Sequence, residues 1–297
     1  MRDESKDKIS DLYEVASFPE LFTYIKGQEL IIRGGYLNKK INNLKKYNLL
    51  IKKVNNTKFN YKKEITTFLN HLDTYKSYEY KKIDKIKTSE FESGLYFYQF
   101  YDRDNLAKSD KVYFNIFDPD FDSKVLLLHP TYTYQAYNLI DGESFYKGEQ
   151  FETHKKIELS MERPLLSGIS AHRPSNMHSW EIMCTKEGYK FQSISDEFLN
   201  KNVEILKKHK LLLIIGHSEY WTLNQLNSLR DFIKNGGNVG AFGGNLLWWV
   251  IENKFNNIFC NKNPSFLEGE SNNKSTGKAI FPWINKKPQE VLGLSYL

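Results

Sequence analysis

The chain has 297 residues, 40% of them hydrophobic, 15% aromatic and 26% charged, which gives enough length for one large core or two modest ones and too much apolar content for a disordered polymer. Its formal charge is +6, yet only six of the 42 basic residues are arginine, so the charge reads as a lysine-rich solvated surface and not as a nucleic-acid patch, where the bidentate arginine fork is the usual reader. Cys184 and Cys260 form no CxxC pair, which excludes a disulfide scaffold and a cysteine zinc site and fits a reducing cytoplasm. The N-terminal MRDESKDKIS has no apolar stretch and no run reaches the length of a membrane span, so the expectation is a soluble, cytoplasmic chain with no membrane partner.

Residues 1–88 are dominated by Lys, Asn and Tyr with mixed periodicity and carry no motif. They read as an N-terminal appendage of unknown role: a helical and extended attachment, a partner-docking segment, or an extra layer on the main domain. From residue 89 the pattern sharpens. Ser93-Gly94 opens LYFYQFYD, an aromatic and apolar run that predicts a strand, and KVYFNIFD after a polar turn predicts its antiparallel partner. Tyr96 falls early in the first strand, on the face opposite Leu95 and Phe97.

KVLLLH at 124–129 is a short continuous apolar run, the signature of a strand buried on both faces, and it ends at Pro130. The following PTYTYQAYNLIDGESFY predicts a long polar and aromatic loop. LLLIIG at 211–216 repeats the buried-strand signature, and GHSEYW follows at its carboxyl end. Thr222-x-x-Gln225 forms a capping box, Leu226, Leu229 and Ile233 form an apolar stripe, and Gly236-Gly237 stops the predicted helix. Asn238–Phe242 predicts a further strand, parallel to 211–215 through a right-handed crossover. The segments bearing Tyr137, His217-Ser218-Glu219 and Asn245 thus each follow a predicted parallel strand and fall on one edge of the sheet, where open α/β sheets bind ligands.

The chemistry available at that edge is acid–base or metal-based. Glu219 lies between a buried strand and a helix start, where backbone N–H groups favour its ionised form; it is either a hard oxygen ligand or a polar residue supporting the helix. His217 is either a general acid–base group or a hydrogen-bonding histidine. Asn245 follows two glycines, which suits a backbone that approaches a ligand closely, or simply a turn. No G-x-S-x-G or G-x-C-x-G elbow, P-loop or GxGxxG occurs, which disfavours covalent hydrolase and nucleotide chemistry.

Several pieces in series resemble the C-terminal catalytic region of the N,N-dimethylformamidase large-subunit family. They are Ser93-Gly94-Leu95-Tyr96, Thr133-Tyr134-Gln135-Ala136-Tyr137-Asn138 with Gly142 and Ser144-Phe145-Tyr146, Arg163-Pro164, Gly216-His217-Ser218-Glu219-Tyr220-Trp221, and Gly236-Gly237-Asn238 through Asn245, Trp248 and Trp249. The resemblance implies a mononuclear Fe³⁺ held by Tyr96, Tyr137 and Glu219, with His217 and Asn245 lining the pocket, and hydrolysis of a small amide or related carbonyl substrate. Phenolate and carboxylate oxygens are hard donors matched to such an ion. It also implies a small-subunit partner or a homo-oligomer, and a further catalytic acid beyond this chain; Glu268 and Glu270 do not match it by motif.

The expected class is therefore α/β: a mostly parallel sheet with flanking helices, glutamine-amidotransferase-like or flavodoxin-like, with an antiparallel β-hairpin. Residues 1–88 are the appendage, and 89–297 the dimethylformamidase-like domain, incomplete at its C-terminus. The alternative is a non-catalytic or fragmentary family member that binds a metabolite or a partner.

Overall fold

A computed structural model describes residues 22–33, 36–37, 45–54, 56–67, 70–71, 82–102, 111–138, 144–146, 157–163 and 174–260. The chain forms two compact units: Met1–Phe121 with Glu162–Arg173, and Asp122–Met161 with Pro174–Leu297. Gly142, Pro164, Glu268 and Glu270 lie outside the described residues.

The described part of the first unit is built from strands: β1 Phe22–Ile25, β2 Glu29–Arg33, β3 Tyr36–Leu37, β4 Lys45–Lys53, β5 Asn56–Thr67, β6 Asn70–His71, β7 Lys82–Lys87, β8 Gly94–Asp102 and β9 Val112–Phe117. Five of them form a sheet in the order β1-β9-β8-β4-β5, antiparallel throughout except for the β1–β9 pair. The expected hairpin of β8 and β9 is present. Strands from the lysine-rich first 88 residues flank it, since β4 pairs directly with β8, Leu49 opposite Phe100 and Ile51 opposite Tyr98. These strands form because apolar residues recur at every second position: Tyr47, Leu49 and Ile51 on β4, and Tyr96, Tyr98 and Phe100 on β8, are all buried in one cluster with Phe114 and Ile116. Burial of each such side chain contributes about 1.5–3 kcal/mol. The antiparallel β2–β7 pair adds Leu30, Ile32 and Ile86 to the same core.

In the second unit, β10 Val125–His129 is followed by α1 Thr131–Tyr137, then β11 Ile157–Ser160, α2 Pro174–Lys186, β12 Gln192–Ser195, α3 Asp196–Lys201, a 3-10 turn Val203–Lys208, β13 Leu211–Ile215, β14 Tyr220–Thr222, α4 Leu223–Lys234, β15 Asn238–Phe242, β16 Trp249–Lys254 and β17 Asn257–Cys260. One sheet is parallel throughout, in the order β12-β10-β13-β15. A second, mixed sheet has the order β11-β17-β16-β14.

Helix α4 forms as its sequence predicts. The Thr222 hydroxyl accepts from the Gln225 amide at 3.2 Å and the Gln225 side chain accepts from the Thr222 amide at 3.0 Å, while Leu226 and Leu229 of the expected stripe are buried together with Phe232, and Ile233 is half-buried. At its end Gly237 N donates to Phe232 O, and Gly236 adopts φ +84°.

Two expectations are corrected. The chain is not a mostly parallel α/β fold: strands outnumber helices, and most of the described sheet is mixed or antiparallel. The buried apolar runs at 125–129 and 211–215 do form a parallel core, but Lys and Asn, poor strand formers by composition, occupy the solvent side of strands whose alternate residues are apolar. The segment after Pro130 is not a loop throughout, since Thr131–Tyr137 is helical. Its Thr and Tyr residues have weak helix propensity, and burial of Thr131 through Ala136 prevails over it.

Candidate functional site

The site lies in the second unit, at the carboxyl edge of the parallel sheet, and rests on registers that run β10–β13–β15 in parallel. Helix α1 leaves β10 and ends at Tyr137; the loop 216–219 leaves β13; the loop 243–248 leaves β15. Two of these segments are bonded to each other through Thr133. Its hydroxyl accepts from the Glu219 amide at 2.9 Å and, more weakly, from the Tyr220 amide at 3.4 Å. On the other side, Leu247 N donates to Ser218 O, and Trp248 N and Trp249 N both donate to Glu219 O. Glu219, 2% exposed, is therefore held by its own backbone from two directions.

The crossing of the two loops explains their glycines. Gly216 has φ +83° and donates to Phe242 O at 2.9 Å. A Cβ on Gly243 would stand 2.1 Å from Gly216 O, a distance no side chain tolerates. Asn245 follows in the left-handed region at φ +50°, which Asn accepts better than most residues, and its amide side chain hydrogen-bonds the Tyr137 phenol.

Three oxygen-bearing side chains converge here. The Tyr137 hydroxyl donates to Glu219 Oε2 at 2.6 Å and the Tyr146 hydroxyl to Oε1 at 2.5 Å. The two phenol oxygens are themselves 2.8 Å apart, and their rings stack with centroids 4.2 Å apart. Tyr146 is carried by residues 144–146, which are fixed to the end of α1 because Phe145 N donates to Ala136 O at 2.8 Å. Phe145 and Tyr220 belong to the apolar cluster beneath, with Tyr132, Ala136 and Ile251. Burial, then the neighbouring Glu219, pushes both Tyr137 and Tyr146 well above the ordinary phenol range, which keeps them protonated at neutral pH unless a cation is nearby. The donor chemistry, phenol and carboxylate oxygens in short mutual contact, fits a hard trivalent cation.

His217 precedes Glu219 by two residues and is half-buried. Burial pushes its pKa below 6.5, against a smaller opposing pull from Glu219, so the imidazole is neutral at pH 7. Asp196 braces the site from below. Its carboxyl accepts from Tyr132 N at 3.0 Å and, at 3.4 Å, from the Gln225 side chain, which also donates to Asp196 O. Complete burial raises its pKa to about 8.

Residues 62–297, well over half of the chain, match the family described as N,N-dimethylformamidase beta subunit-like, C-terminal. The chain belongs to this family. N,N-dimethylformamidase beta subunits from Alcaligenes sp and Paracoccus aminophilus are each 23% identical to it, over 134 and 133 residues. These stretches cover 42% of this chain but only 17% and 16% of the two relatives, so the chain matches about one sixth of the length of either.

Of the residues singled out by resemblance to the dimethylformamidase family, the second unit gathers Tyr137, Glu219 and Asn245, with His217 two residues along the same loop. Tyr96 belongs to the first unit. There it lies on the core face of β8 opposite Phe114, is fully buried, stacks on Phe91 and Phe114 and donates to Glu92 O at 2.9 Å. Burial pushes its phenol well up. Among the described residues no three His, Cys, Asp or Glu side chains cluster as metal ligands, and no helix is long and apolar enough to cross a membrane. Sequence reasoning missed the partnership of Tyr146 with Glu219, although Tyr146 stood in a family-like motif. It also missed Asp196, for which SISDEFL offers no signal beyond a helix cap.

Proposed function

We propose that this chain hydrolyses a C–N bond in a small amide or related carbonyl compound, using one Fe³⁺ for which Tyr137 and Glu219 of the second unit are the donors. The observation that carries the reading is the convergence of the Tyr137 and Tyr146 oxygens on both carboxylate oxygens of Glu219, at 2.6 and 2.5 Å. Family membership supports amide hydrolysis, as does the name N,N-dimethylformamidase carried by the relatives.

When bound, such an ion supplies Lewis-acid polarisation of the amide carbonyl and a lowered pKa of water. The remaining roles fall to the chain. Neutral His217 accepts a proton from the attacking water and passes it to the leaving amine nitrogen as the C–N bond breaks. Asn245, hydrogen-bonded to Tyr137, orients the substrate beside Glu219. Thr133 and the backbone bonds of residues 247–249 hold the Glu219 loop in place while this happens. The relatives are named as subunits, which supports a small-subunit partner or a homo-oligomer for this chain as well.

The test is iron analysis and visible absorption of aerobically purified protein, with amine release from N,N-dimethylformamide as the activity assay. The expected result is about one iron per chain, as hard anionic oxygen donors favour, with a tyrosinate-to-iron band. A colourless, iron-free protein that takes up no added iron rejects the metal site.

A further inference from the structure

We propose that Tyr146 is a positioning residue of this site, whose hydroxyl engages Glu219 Oε1 and so fixes the orientation of the carboxylate that would hold the cation; the inference rests on the metal reading above. Three observations point to it. Tyr146 is bonded to Oε1 and Tyr137 to Oε2, so each carboxylate oxygen has a separate phenol. The Tyr146 ring lies flat against that of Tyr137, 24° from parallel, and meets the Tyr220 ring edge-on at 83°, which fixes the direction of its hydroxyl. Its backbone is tied in, Tyr146 N donating to Ser144 Oγ at 3.0 Å and the preceding Phe145 N to Ala136 O at 2.8 Å, so the segment that carries the hydroxyl is anchored to the end of α1.

A carboxylate bonded to a fixed phenol is held in a set orientation, and groups that orient a ligand in this way typically change metal affinity by about 10–100-fold when removed. Tyr146→Phe tests this, because it keeps the stacked ring and deletes only the oxygen. Iron uptake is read by the tyrosinate band, and affinity by competition with a chelator. The expected result is a retained but shifted band with iron held about 10–100-fold more weakly. A Tyr98→Phe control, from the core of the first unit, leaves both unchanged. A Tyr146→Phe protein with wild-type affinity and an unshifted band overturns the proposal. So does complete loss of the band, as in Tyr137→Phe, because Tyr146 would then itself be a donor. If the wild-type protein takes up no iron, the metal reading fails by itself. The link between Tyr146 and Glu219 is then read in metal-free protein by urea unfolding of Tyr146→Phe, Glu219→Gln and the double variant: non-additive losses support the positioning contact, and additive losses overturn it.

Discussion

The Thr133 hydroxyl accepts a hydrogen bond from the Glu219 backbone amide at 2.9 Å, joining the helix that leaves one parallel strand to the loop that leaves its neighbour. Both residues are buried, so the bond has no water to replace it. Thr133→Val keeps the shape and strands the Glu219 and Tyr220 N–H groups. The expected cost is about 1–3 kcal/mol in urea unfolding, with weaker iron retention. An unchanged midpoint would mean that the loop is held by residues 247–249 alone.

Gly243→Ala is expected to disturb the site from a position with no chemistry of its own. The added methyl would meet Gly216 O at 2.1 Å, and both partners are backbone, so the loops must separate. Destabilisation of about 1–3 kcal/mol, together with lower amine release, is the expected outcome. Gly236→Ala, placed at the end of α4 with nothing within 4 Å of its Cβ, is the comparison: it too should lose stability through its φ of +84°, yet keep iron.

Roles at the Glu219 loop separate by substitution. Glu219→Ala should lose iron and activity together, whereas His217→Ala should keep iron and lose activity. Equal iron loss in both would make His217 a ligand. The acid limb of the wild-type kcat/KM profile should lie below pH 6.5, because burial lowers the His217 pKa and the neutral imidazole is the active form. An acid limb above 6.5 would remove His217 from the proton path.

Asp196 gives the fold a pH dependence of defined sign. Its folded pKa, about 8, exceeds the ordinary carboxyl value of 3.8, so its contribution is fully present below the unfolded pKa and is lost as pH rises through the folded one. From this group, stability should fall between about pH 4 and pH 8, with a limiting slope near 1.4 kcal/mol per pH unit. Asp196→Asn should flatten that slope in unfolding measured across the range; an identical slope in wild type and variant would show that other groups govern it.

Tyr96→Phe asks whether the first-unit tyrosine does more than pack. Its ring contacts with Phe91 and Phe114 survive the change, so folding should shift by less than about 1.5 kcal/mol. Iron affinity should fall sharply if the phenol is a donor. Full retention of the band would leave Tyr96 as core alone.

What the sequence determined by itself was local or periodic. The capping box at Thr222 and Gln225 and the β8–β9 hairpin depend on residues near in sequence. The parallel pairing of 125–129 with 211–215 follows from their unbroken apolar runs, and with it the gathering of Tyr137, Glu219 and Asn245 at one sheet edge, because parallel strands send their carboxyl ends the same way. Tertiary structure decided the rest. The lysine-rich strands before residue 88 were masked by composition, since only their alternate residues face the core. Helix α1 exists against the propensity of its Thr and Tyr residues because burying its side chains prevails. The approach of Tyr146 to Glu219, 73 positions away, depends on a backbone bond from Phe145 to Ala136 and on Thr133 holding the Glu219 loop, contacts that no spacing along the chain encodes.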